Sequence, residues 1–179
     1  RYLTIIDAAE KQIKLSEPEF DISSIPTDDA ATYEMISQGK TDGVFQLESG
    51  GMRQMLMQLR PERIDDIISA IALYRPGPMD SIPMFIERRH NPQTVTYTIP
   101  ALARILDVTY GCIVYQEQVM QIFRDVAGYS LGRADLVRRA ISKKKASVLE
   151  KERASFIEGA KEKGVAESDA IKLFEDIAS

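Results

Sequence analysis

The stretch IDDIISAIALYRPGP, residues 64–78, constrains the fold more tightly than any other part of the sequence. Ile64, Ile67, Ile68, Ile71 and Tyr74 fall at i, i+3, i+4, i+7 and i+10, a spacing that lines side chains along one face of an α-helix and scatters them in a strand. Asp65, Asp66 and Ser69 take the wet side of that helix, which Pro61 opens. Pro76 and Pro78 end it, because proline lacks an N–H and pushes the residue before it out of the helical region.

The same periodicity, punctuated by glycine, proline and capping residues, recurs along the chain. Leu3, Ile6, Ala9 and Ile13 predict an amphipathic helix to about Lys14, followed by a polar, proline-containing link. Thr27 is the expected N-cap of a helix over 28–38, with Asp28 and Asp29 in its first turn and Gly39 as its stop. ESGGM is a turn feeding a helix that runs to Arg60, and its Ser49 is either an ordinary cap or part of an anion seat. Further helices are expected near 81–89 and 100–106, then from Tyr115 with Val119, Ile122, Phe123 and Val126 on one face. Ser130 caps another over 131–142, and two more near 147–162 and 168–178 close the chain. GVFQL (43–47) is the one expected short strand, and a few extended residues precede Tyr115. The fold class is therefore mainly α, a multi-helix domain with at most one or two short strands, without repeats or low-complexity tracts.

Composition removes several kinds of chemistry. One cysteine, Cys112, and one histidine, His90, exclude an intrachain disulfide and a Cys/His metal cage. No apolar run approaches the roughly 18 residues of a membrane span, so no membrane partner is expected and a reducing cytoplasm fits. The chain lacks an initiator Met and stops within a helical pattern, so an excised piece is expected.

Charge is unevenly placed. The net charge of the 179 residues is -4, yet residues 124–151 hold eight cations against three acids, an excess of +5. Arg138, Arg139, Lys143, Lys144 and Lys145 lie within ten positions. Asp135 is three and four residues before the two arginines and could absorb one of them in an intrahelical ion pair. Val137 and Ile141 anchor the helix and turn Arg138 and Arg139 outward. Two readings stand: a solvated charged face, or a site for a triphosphate or nucleic-acid backbone. In the second, arginine forks grip phosphate, lysines add mobile charge, and nearby Tyr115 and Gln116 face sugar or base. Arg75, on the stiff RPGP turn, is either a surface residue or a pre-organised contact.

Four ordered strings, VFQLESGGM (44–52), IALYRPGPM (71–79), YGCIVYQEQVMQI (110–122) and AGYSLGRADLVRRAISKKK (127–145), resemble the bacterial DNA polymerase III alpha subunit family, and the resemblance covers essentially the whole chain. At AISKKK the family commonly reads AMGKKK. The resemblance implies that residues 1–26 are a helix and link continuing from the palm, and that 27–179 are a helical fingers domain, truncated at its C-terminus. It implies a DNA-directed DNA polymerase whose catalytic acids, with the Mg²⁺ they bind, lie in the palm outside this chain, which alone is expected to be inactive. The implied partners are primer-template DNA, deoxynucleoside triphosphates and other replisome subunits such as the sliding clamp. Arg75, Arg138, Arg139, Lys143, Lys144 and Lys145 are then the candidate phosphate contacts, and Tyr115 and Gln116 the candidate nucleotide-pocket residues, with no catalytic and no metal-binding residue here. The competing expectation is a protein-interaction module whose basic face receives an acidic partner.

Overall fold

Helix-favouring patterns separated by strong stops run through most of the chain. The computed structural model describes residues 2–142 and 146–178, and all its regular structure is helical. Ten α-helices follow in order: α1 Tyr2–Ile13, α2 Ala30–Ser37, α3 Gly50–Leu59, α4 Ile64–Leu73, α5 Ile82–His90, α6 Ala103–Leu106, α7 Gln116–Ala127, α8 Leu131–Ser142, α9 Ala146–Glu162 and α10 Glu167–Ala178. Five short 3₁₀ segments lie between them. The strand expected at 43–47 is replaced by tight turns. Gln46 adopts a left-handed φ of 66°, and the buried Thr41 hydroxyl donates to the Leu47 carbonyl at 2.7 Å, closing the segment on itself.

Two apolar cores form. The first gathers α2 to α5 around Leu56, Leu59, Leu73 and Phe85 and also takes in Cys112 and Val114 from the approach to α7. The second gathers α6 to α10 around Ile122, Phe123, Phe156 and Phe174. In it Phe123 meets Phe156 edge-on at 4.9 Å and Phe174 at 6.2 Å. Burying each such ring stabilises the fold by about 1.5–3 kcal/mol, so this aromatic cluster holds α7, α9 and α10 as one unit.

Several helix boundaries differ from the sequence expectation. Asp29 rather than Thr27 caps α2, its carboxylate accepting from Thr32 N at 2.8 Å; aspartate is the stronger cap, and the Thr27 carbonyl is taken by the Tyr33 hydroxyl. Pro61 does not open α4. Arg60 closes α3 in the left-handed region, and the chain needs the extended Arg63 to re-aim before Ile64. Ser49 is an ordinary cap, accepting from Met52 N at 3.3 Å.

The larger correction concerns the faces of α4. Ile64 and Ile68 are exposed, while Asp66 and Ser69, assigned to solvent, are each 1% exposed. Helix α4 is rolled so that Ile67, Ala70 and Leu73 enter the core together with the two polar residues. A buried carboxylate is tolerated only with partners, and Asp66 has several. Its oxygens accept from Glu62 N, from the Tyr110 hydroxyl at 3.2 Å and from the Arg89 guanidinium at 3.3 Å, with Arg63 Nε at 3.5 Å.

Helix α1 is amphipathic as expected, but none of its residues is buried. Leu3 and Ile5 are 81% and 64% exposed, and the Tyr2 ring lies 4.5 Å from that of Phe45.

Candidate functional site

Helices α7 and α8 form an antiparallel pair. Gly128 closes α7 with φ 75°, a conformation that costs glycine nothing, and Ser130 accepts from Arg133 N to start α8. The last turns of α8 therefore lie beside the first residues of α7, bringing Arg138 to Gln116. Helix α8 is fixed by Ala134, Val137 and Ala140, all buried.

Arg138 is braced from two sides. Its Nε and Nη2 donate to Asp135 Oδ1 at 3.1 and 2.8 Å, and its Nη1 donates to Gln116 Oε1 at 2.8 Å. Only 19% of its side chain is exposed, so it is less outward than the helix pattern suggested. Arg139 is 63% exposed and pairs with the other oxygen of the same carboxylate, Asp135 Oδ2, at 2.6 Å. Asp135 thus holds both arginines rather than one. Its hydrogen bond with Arg138, reinforced by Arg139, keeps its carboxyl below the ordinary carboxylate range.

The other arginines of the basic window are also matched. Arg124 pairs with Asp125 at 2.6 Å. Arg133 lies 4.0 Å above the Tyr129 ring and donates to Glu152, which stands just past the window's end. Lys143, Lys144 and Lys145 lie outside the described residues.

Tyr115 precedes α7, and its hydroxyl shares a 2.8 Å hydrogen bond with Ser69 Oγ of α4. The buried face of α4, missed from the sequence, therefore steadies this candidate pocket residue. Arg75 lies on the exposed turn after α4, and its guanidinium makes no hydrogen bond or ion pair with the described residues. Two clefts, of about 540 and about 380 Å³, lie against the 96–102 segment and α10. Neither includes Arg75, Tyr115, Gln116, Arg138 or Arg139.

Sequence reasoning also missed Gln118. It is 3% exposed, and its Oε1 accepts from Val114 N at 2.8 Å and Tyr115 N at 2.9 Å. Its Nε2 donates to Ile105 O at 3.2 Å and Thr109 Oγ1 at 2.8 Å. All four hydrogen-bonding positions of the amide are filled, and the residue pins the segment linking the two cores. A glutamine three residues after the cap position was the available signal, since that is where a capping-box residue reaches back to the cap N–H.

Among the described residues no three His, Cys, Asp or Glu side chains gather in a way that could hold a metal ion. No described helix is long and apolar enough to cross a membrane.

Fold and site together define a helical domain that carries a braced arginine pair where two antiparallel helix ends meet. Residues 2–164 match the family described as the bacterial DNA polymerase III alpha subunit finger domain. The chain is 50% identical over 181 residues to the DNA polymerase III subunit alpha of Thermus aquaticus, covering 98% of this chain and 15% of that protein. It is 49% identical over 176 residues to the same subunit of Staphylococcus aureus strain COL, covering 98% of this chain and 16% of that protein. The chain belongs to the bacterial DNA polymerase III alpha subunit finger-domain family.

Proposed function

We propose that this chain is the segment of a replicative DNA polymerase that positions the incoming deoxynucleoside triphosphate and the template DNA. The observation that carries the reading is the arginine pair. Arg138 is held at a fixed angle beside Gln116, Arg139 is presented to solvent, and both rise from a helix anchored in the second core. A guanidinium held in this way meets phosphate without the entropy cost of ordering a free side chain.

In the parent reaction a primer 3′ hydroxyl attacks the α-phosphorus of the nucleotide and pyrophosphate leaves. Arg138 and Arg139, with Lys143 to Lys145 and Arg75, offset the charge of the triphosphate or the template backbone, and Tyr115 and Gln116 line the nucleotide pocket. Mg²⁺, held by carboxylates of a palm segment outside this chain, would supply the metal chemistry; the part played here belongs to arginine and lysine side chains. Other replisome subunits, such as the sliding clamp, are partners of the whole enzyme. Residues 1–26 join the helical domain of 27–179 to that palm, a role supported by the uncovered apolar face of α1. Separated from the palm, the chain is inactive.

The test is Arg138→Ala with Arg139→Ala in the complete polymerase. The reading expects a raised KM for nucleotide and weaker DNA binding, with a shallower salt dependence, since each lost phosphate contact removes about 0.9 from the log-log slope on duplex DNA. Unchanged KM and DNA affinity refute the assignment. Binding to an acidic protein but not to DNA or nucleotide favours an interaction module instead.

A further inference from the structure

We infer that Asp135 is a positioning residue for the polymerase reaction: an internal counter-anion that aims Arg138 and Arg139 together before phosphate arrives. The inference rests on the reading given above for the arginine pair, and it goes further by assigning a role to an acid inside a site meant for anions. A carboxylate beside a phosphate site ordinarily weakens it, so its presence needs a physical reason.

The geometry supplies one. Asp135 gives one oxygen to each guanidinium, Oδ1 to Arg138 at 2.8 Å and Oδ2 to Arg139 at 2.6 Å. Neighbouring guanidiniums repel each other, and without an anion between them two long side chains spread into different rotamers. One shared carboxylate removes that repulsion and fixes both forks relative to the same helix turn. Gln116 fixes the other side of Arg138, so the guanidinium is constrained from α7 as well as from α8. The arginines hold its pKa below the ordinary carboxylate range, which favours the ionised form. Asp135 is 27% exposed at its side chain and so remains beside whatever the arginines meet.

Two effects of removing the charge oppose each other, and they act on different kinetic constants. Asp135→Asn raises the local positive potential, which favours anion binding in the ground state. It also frees the guanidiniums from their aim, which costs stabilisation that is realised only when the phosphoryl group is in transit. Asparagine keeps one acceptor oxygen but replaces the other with an NH₂ group, a donor that cannot accept from Arg139.

The experiment compares wild type, Asp135→Asn, Asp135→Glu and Arg138→Ala in the complete polymerase, by steady-state nucleotide incorporation on primed DNA together with thermal unfolding. The inference expects kcat of Asp135→Asn to fall about tenfold or more, the effect of losing a charge-assisted hydrogen bond, while KM for nucleotide is unchanged or lower. Asp135→Glu restores most of the kcat, because its carboxylate still spans the i+3 and i+4 positions. Arg138→Ala raises KM. If Arg138→Ala leaves KM unchanged, the phosphate reading itself fails. If Arg138→Ala raises KM while Asp135→Asn leaves kcat unchanged, or raises KM without lowering kcat, the positioning role alone is overturned. A fall in kcat that tracks a fall in melting temperature equally in the Asn and Glu variants also overturns it, since a purely structural acid would behave so.

Discussion

Replacing Asp66 with alanine tests the buried network that turns α4 against its sequence pattern. The carboxylate is 1% exposed, so solvent screens its interactions little. Its removal leaves Arg89, whose side chain is 13% exposed, with only the peripheral Glu62 and the Arg60 carbonyl as acceptors. Arg63 is 48% exposed and recovers hydration, so it adds little. Removing one partner of a buried pair costs about 3–5 kcal/mol. Because Arg89 keeps Glu62, the lower end applies, about 3 kcal/mol. With a urea m-value of roughly 2 kcal/mol/M for a chain of this size, the unfolding midpoint falls by about 1.5 M. Urea titrations followed by far-ultraviolet circular dichroism measure it, and a cycle with Arg89→Ala isolates the pair. A loss below about 1 kcal/mol, or additive single-variant losses, refutes the argument that this acid is held by its arginine.

Gln118→Met keeps the side-chain size and removes all four amide hydrogen bonds, so the unfolding free energy should drop by about 2–4 kcal/mol, given what buried unpaired polar groups cost; a drop below about 1 kcal/mol in urea titration counts against the pin between the cores. Gly159→Ala would place a Cβ 2.2 Å from the Ala127 carbonyl oxygen, and forcing α9 from α7 should cost about 1–3 kcal/mol, more than the roughly 1 kcal/mol of helix propensity gained; a higher melting temperature contradicts the close approach. Tyr97, Tyr110 and Tyr129 are pushed above the ordinary tyrosine range, first by burial and then by the neighbouring carboxylates of Asp107, Asp66 and Glu152, to which they donate. A raised native pKa means their contribution is complete below the unfolded value of about 10 and is lost as pH rises through the native value. Ultraviolet difference titration should therefore show these phenols ionising late and together with alkaline unfolding, whereas independent ionisation near pH 10 in the folded protein contradicts the assignment.

How much of this the sequence disclosed depended on where the determining partners lay. Helices α1, α3, α7, α8 and α10 were legible because periodicity and caps are local; Ser130 caps where it was expected to, and Ser49, left open between a cap and an anion seat, is a cap. The burial of Asp66 and Ser69 was not legible, because what stabilises them comes from Arg89, Tyr110 and Tyr115, 23 to 46 residues away. A hydrophobic stripe ranks Ile64 and Ile68 above Asp66 and has no access to such partners. The strand expected from GVFQL failed because a buried threonine hydroxyl, not a neighbouring strand, satisfies the Leu47 carbonyl. At the candidate site, the pairing of Asp135 with the arginines followed from i+3 and i+4 spacing, but its sharing between both required the actual rotamers. The Arg138 to Gln116 hydrogen bond spans 22 residues and depends on how α8 folds back on α7.

The most direct test is the structure of the complete polymerase bound to primed template and an incoming nucleotide. The account predicts the Arg138 and Arg139 guanidiniums within about 3 Å of phosphate oxygens, with Asp135 still bridging behind them. Both arginines facing bulk solvent, with every phosphate out of their reach, would contradict it.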